Sequence, residues 1–431
     1  MTDPVSDSAT AVATLPNGVR VVTIDLPHLD SVSISVFVRT GSRHEGPRLN
    51  GISHVVEHMA FKGTHARDCR AINLDAERLG AEVNAHTDKD HTAYHISGLA
   101  KHASSFVHML GEIVRDSVFP ADELERERQV ILQEYLEDEE DPLSTAFKLF
   151  DTTCFGTHPL AQPVIGNRRN IQRFTRDELL DYVQRQYTGA NVIVGIAGRI
   201  DADALVREVE SAFGSMAAGS ANLVDAPAYV GGVRSRRLAG SSQSHIVLGF
   251  PIPNSRENHH ASLVAAALFG EGMSSPLLHE IRERRGLVYH AACTAEVGDL
   301  AGVMMIEAST MPEHLDEFFA EVGRLLQAQT EATDPVDMER ARNQIAVRQL
   351  KSHERPWRRL EDAAQDLFVF GRIRTREELT ARVEAVTPRQ VRAAFETMLL
   401  ARPAIAVAGK VTRSAVERLQ GFGTAHALKA A

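Results

Sequence analysis

Cysteine is scarce, with three residues (Cys69, Cys154 and Cys293) in 431. They lie far apart, which excludes a disulfide framework and a Cys-rich zinc cluster. No apolar run approaches the roughly 18–20 residues needed to span a bilayer. Basic residues are outnumbered, 47 Lys+Arg against 57 Asp+Glu, for a formal net charge of −10. That balance argues against a nucleic-acid partner, because phosphate contacts need clustered cations. Residues 1–17 hold two aspartates and no arginine before Arg20, a composition unlike a secretory signal or an Arg-rich transit peptide. A reducing cytoplasm, with no membrane partner, is the expected compartment.

What remains is ordinary globular material: 43% hydrophobic and 24% charged residues. The length allows two or three domains, and the chain reads as two similar halves. Thr175 opens a helical stretch that leads into Val192-Ile-Val-Gly-Ile and ends Ala197-Gly198. Thr387, followed by Pro388, opens another that leads into Ala404-Ile-Ala-Val and ends Ala408-Gly409. The offsets are 387 − 175 = 212 and 408 − 197 = 211, near-constant spacing over a helix–strand unit. The small, polar stretch Gly214-Ser-Met-Ala-Ala-Gly-Ser-Ala221 separates the halves. The expected layout is therefore residues 1–216, a linker at 217–234, and residues 235–431. Alternation at Val19/Val21/Thr23 and Val32/Ile34/Val36/Val38 predicts two strands within 18–39. Helices are predicted at 50–61, 69–79, 103–115, 121–138 and 175–187. Each half is thus an α+β domain, one mostly antiparallel sheet packed with helices.

Chemistry concentrates in Asn50-Gly-Ile-Ser-His54-Val-Val-Glu57-His58-Met-Ala-Phe-Lys-Gly63. Asn50 suits an N-cap and Gly63 a C-terminal stop, so the segment should be helical. His54 and His58, four apart, then share one face and can reach a single ion, with Glu57 at its edge. Two neutral imidazoles, a carboxylate and an open position are what a catalytic Zn²⁺ needs. Such an ion brings the pKa of a water to about 7, and Glu57 is placed to take its proton. The order His-x-x-Glu-His is the inverted zincin motif. A third ligand is required. Glu127 and Glu134, seven apart, lie on the same side of their predicted helix as Leu124, Ile131 and Tyr135, and an inward carboxylate needs a cation or a hydrogen-bond network. Glu134 is the candidate ligand and Glu127 a supporting carboxylate.

His54-x-x-Glu57-His58, with Glu134 76 residues beyond His58, resembles the pitrilysin and mitochondrial processing peptidase family of zinc metallopeptidases, as a single-length, bacterial-type member. The resemblance covers nearly the whole chain. It implies one Zn²⁺ per chain on His54, His58 and Glu134, Glu57 as general base, and a supporting role for Glu127. Glu82-Val-Asn84-Ala85-His86-Thr87 resembles the family's Asn-Ala-x-Thr segment, an edge strand to which extended substrate adds, so Asn84 and Ala85 are implied substrate contacts. Among His86, His91 and His95, the last two are also four apart and suggest a second metal. Thr92, Tyr94 and Ile96 alternate as a strand, however, and these histidines are read as structural or substrate-lining. Arg282 and Tyr289, seven apart, match a family pair that holds substrate and its developing oxyanion. The chain departs from the family's three glycines and an Arg at Gly270-Glu271-Gly272 and Pro276.

By this resemblance the chain is a zinc endopeptidase acting on oligopeptides or unstructured segments. Two bowl-shaped partners would close a chamber, as a homodimer with each zinc site completed by the partner. A non-catalytic peptide-binding subunit and the catalytic half of a heterodimeric processing peptidase are the alternatives.

Overall fold

The computed structural model describes residues 10–412 together with 417 and 419. The chain forms two compact units. One contains residues up to 135, 162–224 and 351–375, and the other 136–161, 225–350 and those from 376 onward. Among the described residues no helix is long and apolar enough to cross a membrane.

The first unit is built on six strands: β1 (Thr10–Thr14), β2 (Arg20–Asp25), β3 (Ser31–Val38), β4 (Glu82–Thr87), β5 (Thr92–Leu99) and β6 (Val192–Gly198). Their order is β1-β2-β6-β3-β5-β4. Only β2 and β6 run parallel; the other neighbours are antiparallel. The predicted alternation in β3 sends Val32, Ile34, Val36 and Val38 into one core, while Phe37 enters another on the opposite face. The larger core is closed by helices Ile52–Ala60, Ala103–Arg115 and Arg176–Gln186, through residues such as Met59, Phe106 and Leu179. The opposite face is covered by helix Pro356–Phe370, whose Leu360, Ala363, Ala364 and Leu367 form an apolar stripe. Gly195 leaves room for it, since a Cβ there would come within 2.9 Å of Leu360.

The second unit repeats the plan with β7 (Gly232–Arg237), β8 (Ser244–Ile252), β9 (Val288–Val297), β10 (Gly302–Thr310) and β11 (Ala404–Gly409), ordered β7-β11-β8-β10-β9. Again one pair, β7 with β11, is parallel. Without β1, the two sheets have the same connectivity. Thr175 and Thr387 both cap their helices with reciprocal capping boxes, closed by Glu178 and Gln390. The α+β reading and the internal repeat hold together.

The units are not the contiguous stretches 1–216 and 235–431. Helix Pro142–Phe155, from the first half of the chain, belongs to the second unit, where Ala146, Phe150 and Cys154 cover Val247, Met305 and Ala406. Helix Pro356–Phe370, from the second half, belongs to the first. Each sheet has two apolar faces, and each second face is closed by a helix from the other half. The expected linker carries no helix or strand until β7 begins at Gly232. Its first part is bound to the first unit, where Asn222 donates to the Arg39 carbonyl and Asn191 to that of Ser220.

Candidate metal centre

The motif helix runs Ile52–Ala60, with Val55, Val56 and Met59 buried and His54, Glu57 and His58 on the other side. Its start differs from expectation. Gly51, at φ 97°, is the N-cap, and Asn50 instead donates to Glu45 and to the Pro163 carbonyl. Gly51 is required there, because a Cβ would come within 2.8 Å of Gly166 while forcing a left-handed side chain. The free N–H groups of Gly51 and Ser53 donate to the carboxylate of Glu45, at 2.7 and 2.8 Å. A buried acid thus caps the helix, and its burial pushes the Glu45 carboxyl up despite those bonds. The helix ends at Phe61, and Gly63 lies beyond it in a bridge to Asp68.

The helix Ala121–Glu140 carries Glu127 and Glu134 on the stripe of buried Leu124 and Ile131. Glu134 Oε2 lies 3.7 Å from His54 Nε2 and 3.4 Å from His58 Nε2. The three residues each offer one ligand atom, all within 4.8 Å of one another. Donors about 2.0–2.2 Å from a tetrahedral ion stand roughly 3.3–3.6 Å apart, so the set fits a single Zn²⁺. The protonation pattern fits too. Burial, with His58 beside it, pushes His54 down to about 3, so its imidazole stays neutral as a ligand must be. His58 Nδ1 faces the Glu127 carboxylate at 3.2 Å. A carboxylate only accepts, so Nδ1 carries the proton and Nε2 keeps its lone pair for the metal. Glu127 is itself held by Lys62 Nζ at 2.6 Å.

Glu57 Oε2 accepts a hydrogen bond from the Thr87 hydroxyl at 2.7 Å. Burial pushes the Glu57 carboxyl up, and the Thr87 bond opposes it by favouring the charged form. Thr87 ends β4, the terminal strand of its sheet, paired only with β5 among the described residues. Asn84 and Ala85 lie on that strand, with the Asn84 side chain bonded to the Ala85 N–H. In the second unit, Arg282 stands 5.4 Å over the Tyr289 ring, whose residue is 81% exposed. Pro276 occupies the first turn of a short helix capped by Ser275, where its missing N–H costs nothing. Glu271 is held by Arg348 at 2.9 Å, and Gly272 follows at φ 88°.

Comparisons with known proteins bear on the family. Residues 20–168 match the family model described as insulinase (peptidase family M16), and residues 173–345 match the peptidase M16 inactive domain. An uncharacterized zinc protease of Mycobacterium tuberculosis is 32% identical over 418 residues, 94% of each chain. One from Rickettsia bellii is 31% identical over 370 residues, 85% of this chain and 90% of the relative. The chain belongs to the insulinase (peptidase M16) family. Its fold matches solved structures: a protease from Helicobacter pylori has TM-score 0.85 at 20% identity over 93% of this chain and 99% of that one. A peptidase M16 inactive domain from Pseudomonas fluorescens gives 0.84 at 20% identity, over 94% and 98%.

Zinc is the cofactor of this M16 chain, and the structure draws together His54, His58, Glu134, Glu127 and Glu57 in one unit and Arg282 with Tyr289 in the other. Sequence reasoning missed three supporting side chains. Lys62 sits one turn beyond His58, a spacing that could have signalled a partner for Glu127. Thr87 closes the Asn-Ala-x-Thr segment. Glu45 had no local signal, because its role depends on a turn made by Gly51.

Proposed function

We propose that this M16 chain is a zinc-dependent endopeptidase that cleaves internal peptide bonds of oligopeptides or unstructured segments, and that it works as a homodimer enclosing a chamber. The observation that carries the reading is the convergence of two imidazole nitrogens and a carboxylate beside a hydrogen-bonded Glu57. His54, His58 and Glu134 would hold the ion. When bound, zinc supplies Lewis acidity and brings the pKa of a water to about 7.

The rest is work for the chain's own side chains. Glu57, oriented by Thr87 and raised in pKa by burial, accepts the proton of the attacking water at a carboxylate oxygen and returns it to the leaving amine. Glu127 keeps the His58 proton on Nδ1. Extended substrate adds alongside β4 at Asn84 and Ala85, through backbone hydrogen bonds that read little side-chain identity. Arg282 and Tyr289, contributed by the second chain, steady the oxyanion as the carbonyl becomes tetrahedral.

Cleavage of a quenched generic peptide, abolished by a chelator and restored by Zn²⁺, tests the chemistry; its absence in zinc-loaded protein leaves a peptide-binding subunit. Mixing Glu57→Gln with Arg282→Ala protein tests the shared site. Subunit exchange between two dead variants regenerates about a quarter of the sites if each is completed by the partner, and none if it is not.

A further inference from the structure

We propose that His86, Asp88 and His91 form a second divalent-metal site at the tip of the β4–β5 hairpin, distinct from the set on His54, His58 and Glu134. The three residues each offer one ligand atom, and these atoms lie within 4.8 Å of one another. The hairpin sets the arrangement. Thr87 pairs with Thr92 in the last rung, so His86 sits one rung before it, opposite Ala93, and Asp88 and His91 lie beyond it in the turn.

Each donor is held by the surrounding fold. Asp88 Oδ1 accepts the N–H groups of Asp90 and His91, both at 2.6 Å, while Oδ2 stands 3.2 Å from His91 Nδ1. His91 is only 2% exposed, and its Nε2 is buried without a hydrogen-bond partner. His86 Nδ1 lies 3.0 Å from His95 Nε2, and His95 Nδ1 lies 2.7 Å from the Ser35 hydroxyl. The chain Ser35–His95–His86 therefore fixes the His86 ring through Nδ1. That leaves Nε2, which faces Glu361 Oε1 at 3.6 Å, as the nitrogen to bind an ion. Glu361 is in turn paired with Arg358 at 2.9 Å, and stands ready to neutralise an ion on His86 from outside. His86 and Asp88 are partly open to solvent, which gives an ion its way in.

Two imidazoles and one carboxylate select a late first-row divalent ion such as Zn²⁺, Co²⁺ or Ni²⁺ over Mg²⁺ or Ca²⁺, which prefer all-oxygen sets. The location gives the site a consequence. Thr87, between His86 and Asp88, donates to Glu57, so an ion on this hairpin would fix the residue that orients Glu57.

The test uses full-length protein, Co²⁺ as the probe, and metal counted per chain after gel filtration, alongside the visible ligand-field spectrum. Wild-type protein should hold two Co²⁺ at saturation, and Asp88→Asn or His86→Gln should reduce that to one with unchanged thermal melting. In a His54→Gln/His58→Gln background one Co²⁺ should remain, bound at least ten-fold more weakly once Asp88→Asn is added. A wild-type stoichiometry of one, or two ions that survive both Asp88→Asn and His86→Gln, overturns the proposal. None of these readouts requires peptide cleavage, so the site stands or falls apart from the proposed peptidase activity.

Discussion

The two units share a sheet order but differ at one place, and the difference shows what the metal replaces. Glu134 lies eight residues before Pro142, the start of the following helix; Arg348 lies eight before Pro356, in the matching position. In the first unit Glu134 faces two histidines. In the second, Arg348 reaches Glu271 at 2.9 Å. The helix matching Ile52–Ala60 is His260–Gly270, apolar nearly all round, with no His-x-x-Glu-His. One copy of the scaffold thus sets acid and imidazole against a place for a cation. The other supplies its own cation, as an arginine, and closes the gap with an ion pair. A carboxylate and two nitrogens, left without an ion, repel or desolvate one another; Arg348 with Glu271 has no such need.

The largest effect that would break this comparison is on the base. Glu57→Gln should lower kcat/KM by about 10²–10⁴-fold while zinc content stays at one per chain in the first site. In the second unit Arg348→Gln, at the position that matches Glu134, removes a partly exposed pair and should cost about 0–1 kcal/mol of stability, with activity retained. If Arg348→Gln were as damaging as Glu57→Gln, the division of labour between the units would be wrong.

Next comes the exchanged pair of helices. Phe150→Ala should cost about 3–5 kcal/mol and Leu360→Ala about 2–5 kcal/mol, because each empties a contact with the sheet at Gly249 or Gly195. Calorimetry with zinc analysis separates them: Leu360→Ala should weaken zinc retention through the first unit, and Phe150→Ala should not. Equal zinc loss in both would show that the helices do not serve separate cores.

How far the sequence disclosed this molecule depends on the range of the interaction. Strand alternation in β3, the shared face of His54 and His58, and the stripe that joins Glu127 to Glu134 are local periodicities, and all are visible in the residues alone. The helix exchange is not, because an apolar stripe at 360, 363, 364 and 367 says that something is covered without saying which sheet. Asn50 looks like an N-cap in the sequence, yet Gly51 takes the place because Glu45, six residues back, satisfies the helix N-terminus after a turn only glycine permits. Contacts that depend on chain reversal, such as Thr87 with Glu57, were equally hidden.

Glu127 supplies a smaller test. Glu127→Gln keeps the shape but no longer obliges His58 Nδ1 to be the donor, and it frees Lys62. Zinc affinity should fall about 10–100-fold with the zinc-saturated kcat changed less, as competition against a chelator of known strength would measure.

The smallest effect is the most specific. Ionised Glu57 is the form that accepts a proton, and burial holds its pKa above the usual 4.5 while the Thr87 hydroxyl pulls it back down. Where Glu57 sets the acid limb of the kcat/KM profile, that limb answers to the Thr87 bond. Thr87→Val removes a bond to the charged form only, so the protonated acid gains relative weight and the limb should move up. On stability the sign is opposite to that of a stabilised carboxylate. A raised pKa favours folding below pH 4.5 and works against it as pH rises, so Thr87→Val should make the metal-free protein slightly less stable at pH 7 than at pH 4 when each is compared with wild type. A limb that stayed in place, or moved down, would show that Glu57 does not set the acid side of the profile and that Thr87 acts only as the last rung of β4.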